Sequence, residues 1–460
     1  MDEAIRLKLP ATLPRLLISP CRLLFLFITL TGCLSPEPKP FPAPSPDAFR
    51  ELTRSVAEWR QLPLARPIRL QVQPGGMETG QTVFPSPINV PYPAQLEHAY
   101  KAIGLLPNHV DFSTALAEYR KIVELISYDG PKDLVILSAN AARLAAPLET
   151  SNPSAAHELP AVIGVMRALQ ERHFNWRERM NSSAFDDRRM ALRAVATGDA
   201  LLTAVSRSAG EKLAPANLAA LQQIAPAVDQ LASHLPNFLR QQASFPYREG
   251  GQFVYWALAA KGWQGVNALY ADPPHTTAQV LHPEKYFIER NPLTHFFPAA
   301  LLRRLRTNSL VEDSIGELSI RTLLEGEHAQ KYAADTAAKW RGDQLFSFQN
   351  DADLNTFWFS AWGGETAAEE FVRAYQKVIE GRQRLRFDRV AQAKDRALIG
   401  MTRDGRAWLL QARGAVVLVV ESATANRAIE LAEEAWRDLE IEAEPAAVRF
   451  ESAWRPVNFR

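Results

Sequence analysis

"VIGVMRALQERHF", residues 162–174, decides how the rest of the chain is read. Val162, Val165, Met166, Leu169 and His173 recur at three- and four-residue spacing on one stripe, which predicts a core helix. Pro160 suits the first position of that helix, because its fixed φ is already helical and its missing N–H is not needed there. The stripe makes His173 a hydrogen-bonded core histidine in preference to a ligand or base. No two residues of the segment form a pair able to hold a metal ion.

Working outward, "DAFRELTRSVAEWRQL" (47–62) predicts a helix capped by Asp47, and "DFSTALAEYRKIVELIS" (111–127) predicts a second. "YDGPKDLVILS" reads as a turn at Asp129-Gly130 and a short strand from Asp133 to Leu137. Residues 187–207 form a further helix with Gly198 inside it, and residues 219–235 another, interrupted at Pro226. Near the C-terminus, "RALIGMTRD", "GRAWLLQAR" and "AVVLVVES" are strand-like runs separated at Gly405 and Gly414, and "ANRAIELAEEAWRDL" closes with a helix. The fold class is α+β, predominantly helical with a small C-terminal antiparallel sheet.

The chain has 460 residues, 47% of them hydrophobic, enough for a substantial core. Lys plus Arg (52) and Asp plus Glu (51) nearly cancel, so no net field argues for nucleic acid. Both cysteines, Cys21 and Cys33, lie near the N-terminus, which leaves the body without a disulfide or thiolate metal site. Arg22 precedes an apolar run, Leu23 to Leu30, too short to span a bilayer and suited to the core of an export signal. "LTGC", residues 30–33, looks like a bacterial lipobox, which implies cleavage before Cys33 and lipidation of that cysteine. "SPEPKPFPAPSPD" then supplies a stiff, polyproline-like tether. The expected organisation is a signal peptide at 1–32, lipidated Cys33 with its tether at 33–47, a helical body at 48–300, and an α+β region at 301–460.

"AIGLLP", "RALQERHF", "TGDALL", "FPYREGGQFVYWAL", "GWQGVNALYADPPHTTAQVLHPEKY" and "KWRGD" follow one another between Gly104 and Trp436 or just before. In this order they resemble a family of exported, often lipid-anchored proteins related to the gluzincin zinc metallopeptidases, and the resemblance implies a zincin-like body. In peptidase-like members of that family, His-Glu-x-x-His precedes "ALQ": two imidazoles on one helix face hold zinc and the glutamate activates water. That register falls here on Ile163, Gly164 and Arg167, and the family's third ligand falls on Thr197. Ile163 has no lone pair, Gly164 no side chain, Thr197 is a poor neutral ligand, and Arg167 repels a dication. The resemblance therefore implies degenerate zinc-site positions with no catalytic residue, metal or cofactor.

"HELPA" (157–161) begins as a zinc motif should, but its second ligand position is Ala161 and Pro160 is expected to break the turn. With Arg167 near a vacated ligand position, a salt bridge to Asp199 or Glu158 competes with an Arg167 facing solvent or backbone carbonyls. His275 and His282, on the proline-held loop before Phe287, join His173 and Asp199 as candidates for lining a cleft; the alternative is that the loop packs the body. "RGD" at 341–343 matches an adhesion tripeptide as a local accident.

These readings converge on a lipid-anchored envelope protein, at an outer membrane or cell surface, with an inactive metallopeptidase-like body that binds a peptide or envelope protein. An extended peptide is expected to add to the strand edge at Asp133 to Leu137. Two alternatives stay open: a metal-dependent hydrolase with a site rebuilt from His157, Glu158 and His173, and a structural lipoprotein of envelope assembly.

Overall fold

The computed structural model describes residues 43–73, 93–149, 153–182, 186–288, 290, 292–299, 303, 310–328, 330–350, 353–389, 397–437 and 439–443. The expected export signal, Cys33 and most of the expected tether lie outside them. Helix α1, Pro46–Arg60, is capped by Ser45, whose hydroxyl accepts from the Ala48 amide at 3.2 Å, while Asp47 falls in the first turn. Its buried stripe runs Phe49, Leu52, Val56 and ends in Arg60.

Strand β1 (Arg69–Gln73) and helices α2 (Pro93–Ala102) and α3 (Phe112–Val123) follow. The helix expected to run to residue 127 stops at Val123, because Ile126–Asp129 forms strand β2, every residue of which is buried. Strand β3, Leu134–Ser138, pairs antiparallel with β2 and parallel with β1, so it is the centre of a three-stranded sheet. The free edge expected at 133–137 does not exist: Leu70 sits opposite Val135 on one side and Tyr128 opposite it on the other.

Helix α4 spans Pro153–Phe174, so Pro160 is interior rather than first, and the turn carrying "HELPA" is helical. A mid-helix proline costs about 3 kcal/mol. Leu159, Val162, Ile163, Val165 and Leu169 are all buried, each worth about 1.5–3 kcal/mol, and together they outweigh it. The rest of the helical body comprises α5 (Trp176–Ser182), α6 (Asp186–Ala209), α7 (Pro215–Leu231, continuous through Pro226), α8 (Asn237–Arg248), α9 (Gly250–Ala271), α10 (Thr277–Leu281) and α11 (Glu284–Phe287). Gly198 allows α6 and α9 to touch through their backbones: a Cβ there would lie 2.1 Å from the Gly250 carbonyl oxygen.

Strands β4 (Thr294–Pro298) and β5 (Leu310–Asp313) lead into helices α12 (Gly316–Glu325) and α13 (Gln330–Ala337). Then come β6 (Trp340–Asn350), β7 (Asp353–Trp362), α14 (Glu365–Gln383), β8 (Phe387–Arg389), β9 (Leu398–Met401), β10 (Ala407–Arg413), β11 (Val416–Ser422), α15 (Ala425–Arg437) and β12 (Leu439–Ala443). The C-terminal antiparallel sheet has seven strands in the order β5-β6-β7-β11-β10-β9-β8, and β12 pairs with β4 apart from it. The chain is thus α+β, mostly helical, with its antiparallel sheet at the C-terminal end.

Burial on both faces explains why "AVVLVVES" reads as an unbroken apolar run instead of alternating. Val417 and Val419 join the large core shared with the helical body, packing with Trp358, Phe371 and Tyr375. Val416, Leu418 and Val420 face a second core with Phe346, Phe357 and Phe359, covered by Ala428, Leu431, Ala432 and Ala435 of α15. Among the described residues no helix is long and apolar enough to cross a membrane.

Candidate functional site

The positions singled out in the sequence lie deep inside the helical body. Ile163 is 1% exposed, Arg167 and Thr197 are buried, and Gln170 donates from Nε2 to the Ala196 carbonyl at 2.9 Å, holding α4 beside α6 at this level. Gly164 lies directly under the central strand: a Cβ built on it would stand 2.3 Å from Val135 Cγ1, closer than real contacts allow. Val135 is fully buried, β-branched and paired on both sides, so it has no alternative place. At Gly164 this face of α4 is covered by the central strand.

Arg167 does not reach Asp199 or Glu158 in an ion pair. Its burial lowers the guanidinium pKa to about 10, the neighbouring Arg193 adds to that, and Tyr247 and Glu124 oppose it. Glu158 instead pairs with Arg207. Asp199 is held by Arg60, whose Nε donates to Oδ1 at 2.7 Å and Nη2 to Oδ2 at 3.2 Å, and by the Tyr270 hydroxyl at 2.7 Å. Arg60 also donates to Asn267 Oδ1 at 2.9 Å and lies 4.6 Å from the centre of the Trp263 ring. Both charged side chains are wholly buried. Sequence reading missed Arg60, although it falls on the apolar stripe of α1, where a cation must find a buried partner.

The proline-held loop packs the body. The Thr277 amide and hydroxyl donate to Asp187, while His282 Nε2 lies 2.6 Å from Glu317 Oε1 and Lys285 Nζ 3.2 Å from Oε2. Asp343 of the "RGD" tripeptide is buried, accepting from the Ile315 and Gly316 amides at 3.0 and 3.1 Å and from Trp358 Nε1 at 3.0 Å. It anchors the start of α12 and is not presented for adhesion. Tyr100 lies 3.0 Å from Asp186 Oδ2 and 2.8 Å from Asp313 Oδ2. Its one hydroxyl proton is shared between the two carboxyls, which stand beside each other in a dry site that disfavours their charged forms.

Burial raises the carboxyl pKa values of Asp186, Asp313 and Asp343 above the ordinary range, and it pushes Asp187 up to about 8. Thr277 opposes the shift at Asp187, and the carboxyls of Asp343 and Glu317 reinforce it. These groups brace the start of α6 against α10, α12 and β6. "ADPPHTTAQVLHPEKY" and "KWRGD" are thus parts of one internal polar network.

The cleft candidates do not converge. His173 is exposed at the end of α4, with Nε2 2.9 Å from the Pro63 carbonyl, contrary to the core histidine expected. Helical phase places it on the apolar stripe, but the stripe outruns the core. Asp199 is interior, His282 belongs to the Glu317 cluster, and His275 borders a cavity of about 20 Å³ with Gln279, Lys285 and Arg341. His157 and His173 stand on one helix 16 residues apart, roughly 24 Å at 1.5 Å per residue, and cannot share a metal. Among the described residues no three His, Cys, Asp or Glu side chains are grouped to hold one.

An open concavity lies elsewhere. A groove of about 530 Å³ lies between α2, the end of α14 and the β9–β10 turn, lined by Lys101, Arg384, Arg403, Arg406, Glu421 and others. A family model described as a domain of unknown function (DUF8575) matches residues 303–432. That stretch holds the seven-stranded sheet, Asp313, Glu317 and Asp343, and two walls of the groove, the end of α14 and the β9–β10 turn. None of the curated proteins or solved structures compared with the chain matches it.

Proposed function

We propose that this chain is a catalytically silent, metallopeptidase-like envelope protein, carried on a lipid at Cys33, whose body binds a protein or peptide partner. The observation that supports silence is the contact between Gly164 and Val135. Where the resemblance calls for a catalytic glutamate, the space for even a methyl group is filled, and losing a glycine there would force the central strand off α4. Arg167 adds a buried cation where a ligand would stand. Because both edges of β3 are already paired, the partner engages another surface than that strand.

Two measurements on the full chain, extracted in detergent without chelators, test this reading. Metal analysis by mass spectrometry is expected to find far less than one zinc per chain, with no zinc-dependent hydrolysis of unfolded protein substrates. Stoichiometric zinc whose removal abolishes peptidase activity would refute the silent centre. Separately, Cys33→Ser is expected to move the protein from the membrane to the soluble fraction of its host; retention in the membrane rules out the lipid anchor at this residue.

A further inference from the structure

The groove beside α2 is a polar site whose cations are unequally committed, and this inference does not rest on the peptidase-like reading. Its lining includes four Lys and Arg side chains, Lys101, Arg384, Arg403 and Arg406, against two carboxylates, Asp404 and Glu421. Glu421 is buried and fully engaged by Arg406 on one oxygen and by His98 Nε2 at 2.8 Å on the other. Lys101 pairs with Glu97 at 2.5 Å. Arg384 and Arg403 make no ion pair or hydrogen bond to any described residue, and they reach the groove from different walls, the end of α14 and the β9–β10 turn.

The walls are fixed independently of these two arginines. Trp408 Nε1 donates to the Ala102 carbonyl at 2.8 Å, Gln383 Nε2 to the Lys101 carbonyl at 2.8 Å, and Asn108 Nδ2 to Gln383 Oε1 at 3.0 Å. The sheet is thereby tied to α2 and the following loop. Arg384 also adopts a left-handed backbone, φ 55°, at the end of α14, a conformation usual for glycine or asparagine. The result is a preformed concavity in which two guanidinium groups make no ion pair with a described residue, against one exposed carboxylate, Asp404, that makes none either.

The geometry points to a binding site for a phosphomonoester, a dianion whose oxygens accept from Arg384 and Arg403 together. The preference over a carboxylate rests on shape: planar guanidinium forks from two walls match the several oxygens of one phosphate and bind them through short charge-assisted hydrogen bonds. The phosphomonoester can belong to a soluble metabolite or to a lipid headgroup.

Calorimetric titration of the full chain with glycerol 3-phosphate, inorganic phosphate and acetate tests the site, alongside flotation with phosphatidate vesicles. Saturable binding of the phosphate compounds in preference to acetate is expected. It should weaken about tenfold or more in the Arg384→Gln, Arg403→Gln double variant, as the loss of two charge-assisted contacts requires. Arg373→Gln, an exposed arginine outside the groove, should leave it unchanged. Binding to vesicles alone, lost in the double variant, assigns the headgroup as source; binding in solution assigns a soluble ligand. The proposal falls if neither the soluble phosphates nor the phosphatidate vesicles are bound, if acetate binds as well as the soluble phosphates do, or if the double variant binds as the native chain does. Metal content, which tests the proposed function, is independent of every one of these readouts.

Discussion

Arg60→Met is expected to destabilise the chain by about 3–5 kcal/mol, the penalty for removing one member of a buried ion pair and leaving the other charged and dry. Asp199 has no route to water, since both side chains of the pair are wholly buried. Without Arg60 its remaining direct partner among the contacts described is the Tyr270 hydroxyl. Methionine approximates the stem of arginine and keeps contact with Trp263, so the loss reports charge more than volume. Domains of ordinary stability have about 5–15 kcal/mol to lose, which makes this a large fraction of the whole.

A second substitution separates charge from packing. Asp199→Asn, introduced into the Arg60→Met background, removes the stranded carboxylate while retaining an oxygen that accepts from Tyr270. Urea denaturation should show the double variant recovering part of the loss, because neighbouring substitutions of this kind are not additive. Equal loss in the single and double variants would show that packing of α1, rather than the charge of Asp199, is what Arg60 maintains. The same pair decides how α1 is seated: Trp59, its neighbour, donates to Ser206 Oγ at 2.9 Å, so both residues at the end of α1 fasten it to α6.

The elements legible in the sequence were those whose pattern contains its own boundary. "AVVLVVES" and "GRAWLLQAR" became β11 and β10 because glycines punctuate apolar runs, and α15 followed from its one-sided stripe. Helical periodicity gave the direction a side chain faces but not its depth, which is why His173 lies on the stripe and yet is exposed. Pro160 misled for a related reason: a local penalty set the expected start of α4, and burial over the whole helix overrode it. The open edge at β3 could not be judged from its own residues, since β1, more than 60 residues earlier, covers it. Gly164 and Arg167 stood out in the sequence only through the resemblance, and the filling of the space beside Gly164 by Val135 belongs to the packing of sheet on helix.

The buried carboxyl of Asp187 should make stability fall as the pH rises from about 4 to about 8. Its ordinary value is 3.8, and burial carries it to about 8 in the folded chain. Below the lower value the carboxyl is protonated in both states, and its contribution to stability is complete. Between the two values the folded chain retains a proton that the unfolded chain releases, so each rise of one pH unit favours unfolding by about tenfold. Above the upper value both states are ionised and the slope ends. Other buried carboxyls titrate too, so the decisive quantity is the difference between the native chain and Asp187→Asn, whose amide oxygen still accepts from Thr277. Relative to the native chain, the variant should gain about a thousandfold in its folding equilibrium between pH 5 and pH 8, read from urea midpoints across the series. A constant difference over that range would mean that Asp187 is ionised inside the fold. The hydrogen bonds from Thr277 would then outweigh desolvation, and the brace between α6 and α10 would be an ionic one.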